Sequence, residues 1–94
     1  MKTERMAARI TGRVQGVGFR WWVRRQAAEL GLTGWVMNAD DERGVELVAE
    51  GDSTDLDLLE SRLRHGPDGA RVEAVGASRS PASGEFDEFG IMRG

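Results

Sequence analysis

The chain has 94 residues, a length typical of one domain, and 39% of them are hydrophobic, which argues against a disordered chain. Its net charge of −3 argues against a general nucleic-acid binder, because such proteins are basic overall. The chain has no cysteine and 1 histidine, which excludes disulfides, zinc–thiolate sites, cysteine nucleophiles and histidine-rich metal sites. No apolar stretch is long enough for a signal peptide or a membrane span, so we expect a cytoplasmic protein. We expect one domain over residues 1–94, with its core at about residues 7–92.

The first part of the chain predicts a strand, a glycine-rich turn and a helix. Residues 8–14 alternate between small or apolar side chains and polar ones, the period of a half-buried strand. After the turn at residues 15–18, apolar side chains recur at helical spacing over residues 19–30. Gly31 is the expected stop of this helix. On the helix we expect Trp22 in the core and Trp21, which lies off the apolar stripe, partly exposed.

The middle of the chain predicts a β-hairpin. Residues 33–39 and 45–50 alternate as strands and are joined by a polar turn at residues 40–44. We expect Trp35 in the core, since it lies on a periodic stripe. The acidic side chains of the turn are expected to be a solvated hairpin tip, because a calcium loop needs more ligands at defined spacing.

A second helix follows the hairpin. Asp52 or Ser53 is its expected cap, and leucines at i, i+3 and i+7 mark its apolar face. Its end is expected at Gly66 and Pro67. His65 lies near that end and matches no motif, so we expect it to play a structural part and not to act as a general base.

The last third of the chain predicts strands at residues 71–77 and 86–92, with a loop at residues 80–85. The element order is β-α-β-β-α-β with a short extra strand. Two helices of this length cover one face of the sheet, which gives an α+β two-layer sandwich. Right-handed crossovers favour the ferredoxin-like arrangement.

The most informative segment is GRVQGVGFR, residues 12–20, which leaves a strand and opens a helix. Helix N-termini present unpaired N–H groups that attract anions, and glycines let the backbone approach a ligand closely. Arg20 adds a charged, planar fork that suits phosphate oxygens. The segment therefore fits a phosphate loop, although the residues also fit a glycine-rich turn beside a solvated arginine. It is neither a Walker loop nor a dinucleotide fingerprint, because no Gly-Lys-Ser/Thr follows and Trp21 occupies the third glycine position.

This segment resembles the first motif of the acylphosphatase family, small enzymes that hydrolyse carboxyl–phosphate anhydrides. A second match, GLTGWVMN at residues 31–38, stands at the family's spacing. The resemblance extends from about Ala7 to Met92 and implies the ferredoxin-like fold, with no metal and no organic cofactor. The hairpin turn is about one residue longer than is common in the family, and the frequent terminal tyrosine is missing.

The resemblance also implies roles for single residues. Arg20 corresponds to the family's catalytic arginine, and Asn38 to the asparagine whose side-chain amide orients the attacking water. The loop backbone is implied to bind the substrate phosphate together with Arg20, through Gln15, Gly16, Val17, Gly18 and Phe19. These residue types suit the chemistry, because an acyl phosphate has a good leaving group and needs mainly a placed water and stabilised charge. The acceptor of the water's proton stays open, the substrate phosphate being one option.

Three functions remain as hypotheses. The first is a metal-independent acylphosphatase, a monomer acting on a small acyl phosphate without nucleic acid or membrane. The second is a non-catalytic ferredoxin-like module that binds RNA or a regulatory anion, although RNA recognition by this fold usually needs aromatic side chains on the open sheet face. The third is an accessory domain of a larger hydrogenase-maturation carbamoyltransferase. We expect a stand-alone protein instead, because the chain has only 94 residues.

Overall fold

The computed structural model describes residues 2–41 and 43–93. The ends of the expected domain, Met1 and Gly94, and Glu42 of the expected turn lie outside the described residues. The elements are β1 (Thr3–Arg13), α1 (Phe19–Glu29), β2 (Thr33–Asn38), β3 (Gly44–Asp52), α2 (Ser53–His65), β4 (Arg71–Pro81) and β5 (Phe89–Ile91). Within the described ranges, no helix is long and apolar enough to cross a membrane.

The strands form one sheet in the order β4-β1-β3-β2-β5. Strand β1 runs antiparallel to both β3 and β4, and β2 is antiparallel to β3 but parallel to the short β5. Along β1, Met6, Ala8 and Ile10 are buried, whereas Ala7 and Arg9 between them are exposed. The predicted ferredoxin-like α+β sandwich, with an extra C-terminal strand, is confirmed.

The helices bury the faces that their apolar spacing predicts. Helix α1 buries Phe19, Val23 and Ala27, and α2 buries Leu56, Leu59 and Leu63. Asp52 is the cap of α2, since its carboxylate accepts a hydrogen bond from Thr54 N at 2.9 Å. After α1, Gly31 adopts a φ of 69°, the left-handed conformation expected of a glycine that ends a helix.

Trp21 is exposed, as predicted, and Trp22 packs partly buried against the core. The prediction that Trp35 lies in the core is wrong. Trp35 is only half-buried. It lies on the face of the sheet that points away from the helices, whereas Val36 lies on the other face and is fully buried beneath them. Successive side chains of a strand point to opposite faces, so Val36 and Trp35 cannot both face the helices.

Several strand boundaries differ from those predicted. Strand β1 begins at Thr3, and β4 continues to Pro81, because Glu4 is paired with Pro81 in the sheet register. The added residues are mostly polar: Arg79 binds Glu4 at 3.2 Å and Asp57 at 2.8 Å. Ion pairs therefore stabilise this edge of the sheet. Because its residues are polar, they show no alternation of apolar side chains from which a strand could be predicted.

The other boundaries differ less. Strand β2 ends at Asn38, one residue before the predicted Ala39, and β5 covers three residues where the sequence predicted 86–92. Val14 follows β1 as a buried residue outside the strand.

The segment between β4 and β5 is attached to the sheet by a buried carboxylate. Glu50 of β3 is 5% exposed and accepts hydrogen bonds from Arg5 Nε at 2.7 Å, Ser83 N at 2.9 Å and Gly84 N at 3.0 Å. Burial raises the pKa of Glu50, but the hydrogen bonds from Ser83, Arg5 and Gly84 outweigh it and lower the pKa to about 2. The ionised carboxylate thus fixes the segment that leads to β5.

Candidate active site

The loop between β1 and α1 turns through two glycines in the left-handed conformation. Gly16 has a φ of 75° and Gly18 a φ of 76°. A Cβ built on either glycine would meet nothing within 4 Å, so the backbone conformation and not packing requires glycine here. Gly18 is also the N-cap of α1, where no side chain caps the helix and the first turn holds no acidic residue. The positive end of α1 is therefore not neutralised by its own helix.

Side chains at both ends fix the predicted phosphate loop, residues 15–20. Gln15 Nε2 donates hydrogen bonds to Gly44 O at 2.8 Å and to Ala39 O at 3.3 Å. At the other end, Phe19 is 1% exposed and its ring centroid lies 5.5 Å from that of Trp22. The side chains of Gln15 and Phe19 thus hold the loop in place.

The structure brings the two motif residues together. Arg20, in the first turn of α1, and Asn38, the last residue of β2, line one cavity of about 440 Å³. We call it the catalytic cavity. The other lining residues are Ala39, Asp40 and Arg93.

Asn38 lines this cavity, and its side-chain oxygen is unpaired. Its Oδ1 atom is buried, and no residue that the structure describes donates a hydrogen bond to it. A buried acceptor without a partner costs about 1–3 kcal/mol. Because Asn38 lines the same cavity as Arg20, its unpaired amide oxygen is suited to accept a hydrogen bond from a small polar molecule, such as a water, that reaches it.

Arg93 is a lining residue that the sequence analysis did not identify. It follows β5, which runs parallel to β2, and Met92 N donates to Val36 O at 2.8 Å. No motif marks Arg93, and its position depends on the pairing of β5 with β2. The catalytic cavity thus has two guanidinium groups and one carboxylate, that of Asp40, on its walls, an excess of positive charge that suits an anion.

His65 lies elsewhere. It is exposed at the end of α2, and its Nδ1 is 3.1 Å from Ser61 O. It does not line the catalytic cavity. Over residues 2–41 and 43–93, no group of three or more histidine or acidic side chains has the arrangement of a metal site.

Known proteins resemble this chain in sequence and fold. A family model described as "Acylphosphatase" matches residues 6–91. An acylphosphatase of Methylococcus capsulatus is 48% identical over 90 residues, covering 96% of this chain and 97% of that protein. The solved structure of an acylphosphatase from Coxiella burnetii has a TM-score of 0.91 and 35% identity, covering 97% of this chain and 94% of that one. A carbamoyltransferase of Cupriavidus necator is 46% identical over 97% of this chain, but the match spans 11% of that protein's length.

Proposed function

Because this chain belongs to the acylphosphatase family, we propose that Arg20, Asn38 and the backbone of the phosphate loop carry out its hydrolysis of acyl phosphates. The reaction breaks the bond between phosphorus and the acyl oxygen, and it releases a carboxylate and inorganic phosphate. The observation that carries the proposal is that Asn38, whose buried Oδ1 has no hydrogen-bond partner, lines the same cavity as Arg20.

The phosphoryl group binds at the positive end of α1. The Arg20 guanidinium donates to two phosphoryl oxygens, and N–H groups of residues 15–20 donate to the oxygens that face the loop. As the bond to the acyl oxygen lengthens, negative charge spreads over the phosphoryl oxygens. Donors that are already in place stabilise this charge without reorganising. The guanidinium and amides supply here what a divalent cation supplies elsewhere, so we propose that no metal takes part.

The Asn38 amide places the attacking water. One water hydrogen donates to Asn38 Oδ1, which directs an oxygen lone pair at phosphorus. A neutral amide orients this water without adding charge near an anionic substrate. The water oxygen bonds to phosphorus, the carboxylate leaves with its electron pair, and the water's second proton passes to a phosphoryl oxygen. The leaving group is a weak base, so no general acid is needed.

Hydrolysis of benzoyl phosphate in EDTA, followed by ultraviolet absorbance, tests these assignments. Arg20→Lys keeps the charge but loses the planar fork, and Asn38→Ala loses the water acceptor; we expect each to lower kcat/KM by about 100-fold or more. Arg64→Lys on α2 is the matched control, because Arg64 is exposed and pairs with Glu60 away from the catalytic cavity. If a folded Arg20→Lys or Asn38→Ala variant stays within twofold of wild type, the proposal is wrong.

We also propose that the enzyme acts as a monomer in the cytoplasm, without binding nucleic acid. The net charge of −3 supports the last part, since it disfavours a polyanionic partner. Light scattering after size exclusion gives the mass, which we expect to match one chain of 10.3 kDa. A dimer mass would contradict the monomer, and retention on a nucleic-acid column at physiological salt would contradict the absence of nucleic-acid binding.

A further inference from the structure

Three arginines line a cavity that shares no lining residue with the catalytic cavity. It has a volume of about 630 Å³ and lies where β1 ends and β4 begins, with part of its wall from the hairpin turn. We call it the arginine cavity. Its charged lining residues are Arg13, Arg43, Arg71 and Glu73.

The single carboxylate on this wall neutralises one of the three arginines. Arg43 Nη2 donates to Glu73 Oε1 at 3.0 Å. Within residues 2–41 and 43–93, neither Arg13 nor Arg71 forms an ion pair with a carboxylate. The arginine cavity therefore has an excess of positive charge, which attracts an anion.

The strand register places two of these positive charges directly opposite one another. In the antiparallel pairing of β1 with β4, Arg13 is the partner of Arg71. Like charges at opposite positions destabilise a sheet, because their Cβ atoms lie about 5 Å apart. Both side chains are exposed, so the hydrophobic core does not require arginine at either position. An anion bound between the two guanidiniums would remove this repulsion.

The backbone around the arginines is held together by close contacts. Gly12 has a φ of 132°, and a Cβ on it would overlap the carbonyl oxygen of Arg71, so glycine is needed for β1 to approach β4 this closely. Gly12 N also donates to Arg43 O at 3.1 Å, which brings the hairpin turn to the same point. The three arginines thus extend from one small region of fixed backbone.

Guanidinium groups are suited to phosphate oxygens, which they bind through paired, charge-assisted hydrogen bonds. Arginines from three segments of the chain require an anion with oxygens on more than one side. Two linked phosphate groups offer more charge and more oxygens than one phosphate, and they can also compete with Glu73 for Arg43. None of the described residues that line the arginine cavity is aromatic, which disfavours ligands that bind by stacking, such as nucleic-acid bases.

We propose that the arginine cavity is a binding site for a small anion with two linked phosphate groups, of the chemical class of pyrophosphate, held by Arg13, Arg43 and Arg71. The bound anion offsets the repulsion between Arg13 and Arg71 and joins the end of β1 to the start of β4. This site does not include Arg20 or Asn38, so it does not depend on the proposed catalytic function.

Titration of ¹⁵N-labelled protein with sodium pyrophosphate in EDTA, followed by two-dimensional NMR, tests the site. The Arg20→Gln variant is the starting protein, so that Arg20 cannot account for binding. We expect the backbone amide signals of residues 12–13 and 69–73 to shift with pyrophosphate, and inorganic phosphate to bind more weakly. Shifts confined to residues 16–20, equal shifts with sodium chloride at the same ionic strength, or equal affinity for inorganic phosphate would overturn the proposal.

Single substitutions in this starting protein assign the binding residues. Arg13→Gln and Arg71→Gln should each raise the Kd for pyrophosphate by about 10-fold, since each removes a charged donor. Arg64→Gln is the matched control, because it removes the same charge from α2 and Arg64 does not line the arginine cavity. The amide spectrum of each variant shows whether it is folded. An unchanged Kd in the folded Arg13→Gln and Arg71→Gln variants, or an equal rise in Arg64→Gln, would contradict the proposal.

Urea unfolding at low salt tests the repulsion separately. Without an added anion, Arg71→Gln should unfold at a higher urea concentration than the starting protein, because the like-charged pair is gone. Pyrophosphate should raise the midpoint of the starting protein and have little effect on Arg71→Gln. A lower midpoint for Arg71→Gln without the anion would overturn the inference, since Arg13 and Arg71 would then stabilise the sheet without a ligand.

Discussion

The Gln15 side chain is hydrogen-bonded to Ala39, with Nε2 at 3.3 Å from the carbonyl oxygen, and thereby joins the phosphate loop to the residue beside Asn38. The same nitrogen donates to Gly44 O at 2.8 Å, across the base of the hairpin. The loop that we propose to bind phosphate and the strand end that carries Asn38 are thus fixed to one another. We therefore propose that Gln15 is a positioning residue, which acts on the reaction through Asn38 and the loop.

Gln15→Glu should lower kcat by about 10-fold or more with the fold intact. The carboxylate has the shape of the amide but places oxygen opposite two carbonyl oxygens, which repels the hairpin from the loop. Catalysis is sensitive to such shifts, because a misplacement of about 1 Å costs up to 100-fold in rate. Gln26→Glu is the matched control, since Gln26 accepts a hydrogen bond from Arg62 between the helices. Retention of wild-type kcat by Gln15→Glu would show that the link does not position the site.

Gly18→Ala should lower both stability and activity. Gly18 has a φ of 76°, a region that costs an alanine about 1–2 kcal/mol. Gly84→Ala imposes the same strain at a φ of 74°, and a Cβ there also meets nothing within 4 Å. We expect similar losses in the free energy of unfolding from urea titrations, but a lower kcat/KM in Gly18→Ala only. Equal activity of the two variants would mean that the loop conformation does not matter for the reaction.

Asp40→Asn distinguishes two roles for the carboxylate in the catalytic cavity. If the water's proton passes to the substrate, Asp40 only repels an anionic ligand. Removing its charge should then lower KM by about two- to fivefold, with kcat unchanged and the effect reduced at high salt. Steady-state kinetics at two ionic strengths give both values. A tenfold loss of kcat would instead identify Asp40 as the proton acceptor.

Glu50→Gln should weaken the pH dependence of stability. The pKa of Glu50 in the folded protein is about 2, below its ordinary value of 4.5, so its stabilising effect is complete above that ordinary value. The effect is lost as the pH falls from about 5 to about 2. Urea titrations at pH 7 should show Glu50→Gln destabilised by about 1–3 kcal/mol, with a smaller difference at pH 3. A difference that does not shrink at low pH would contradict this account.

The sequence predicted the elements whose apolar spacing is regular. The leucines of α2 and the alternation at Ala8 and Ile10 determine burial directly, and the structure confirms both. Where polar contacts stabilise a segment, the spacing carries no signal. Arg79 and its carboxylate partners extend β4 past the predicted end, and the Glu50 hydrogen bonds fix a segment that has no periodic pattern.

Some residues of the candidate site could be predicted from the sequence and others could not. Arg20 and Asn38 were found through motifs, and the structure places them in one cavity. The link from Gln15 to the hairpin and the position of Arg93 were not predictable, because both depend on contacts between elements distant in the chain. The exposure of Trp21 was predicted from its place off the apolar stripe of α1, and it is confirmed.

Hydrolysis of benzoyl phosphate in ¹⁸O-labelled water tests the central claim most directly, since it shows which atom the water attacks. The account places water on Asn38 and phosphorus at Arg20, so the label should appear in inorganic phosphate and be absent from benzoate. Mass spectrometry of both products, once the substrate has been hydrolysed, shows how the ¹⁸O label is distributed between phosphate and benzoate. Label in the benzoate would contradict the account, because it would mean attack at the carbonyl carbon, with phosphate as the leaving group.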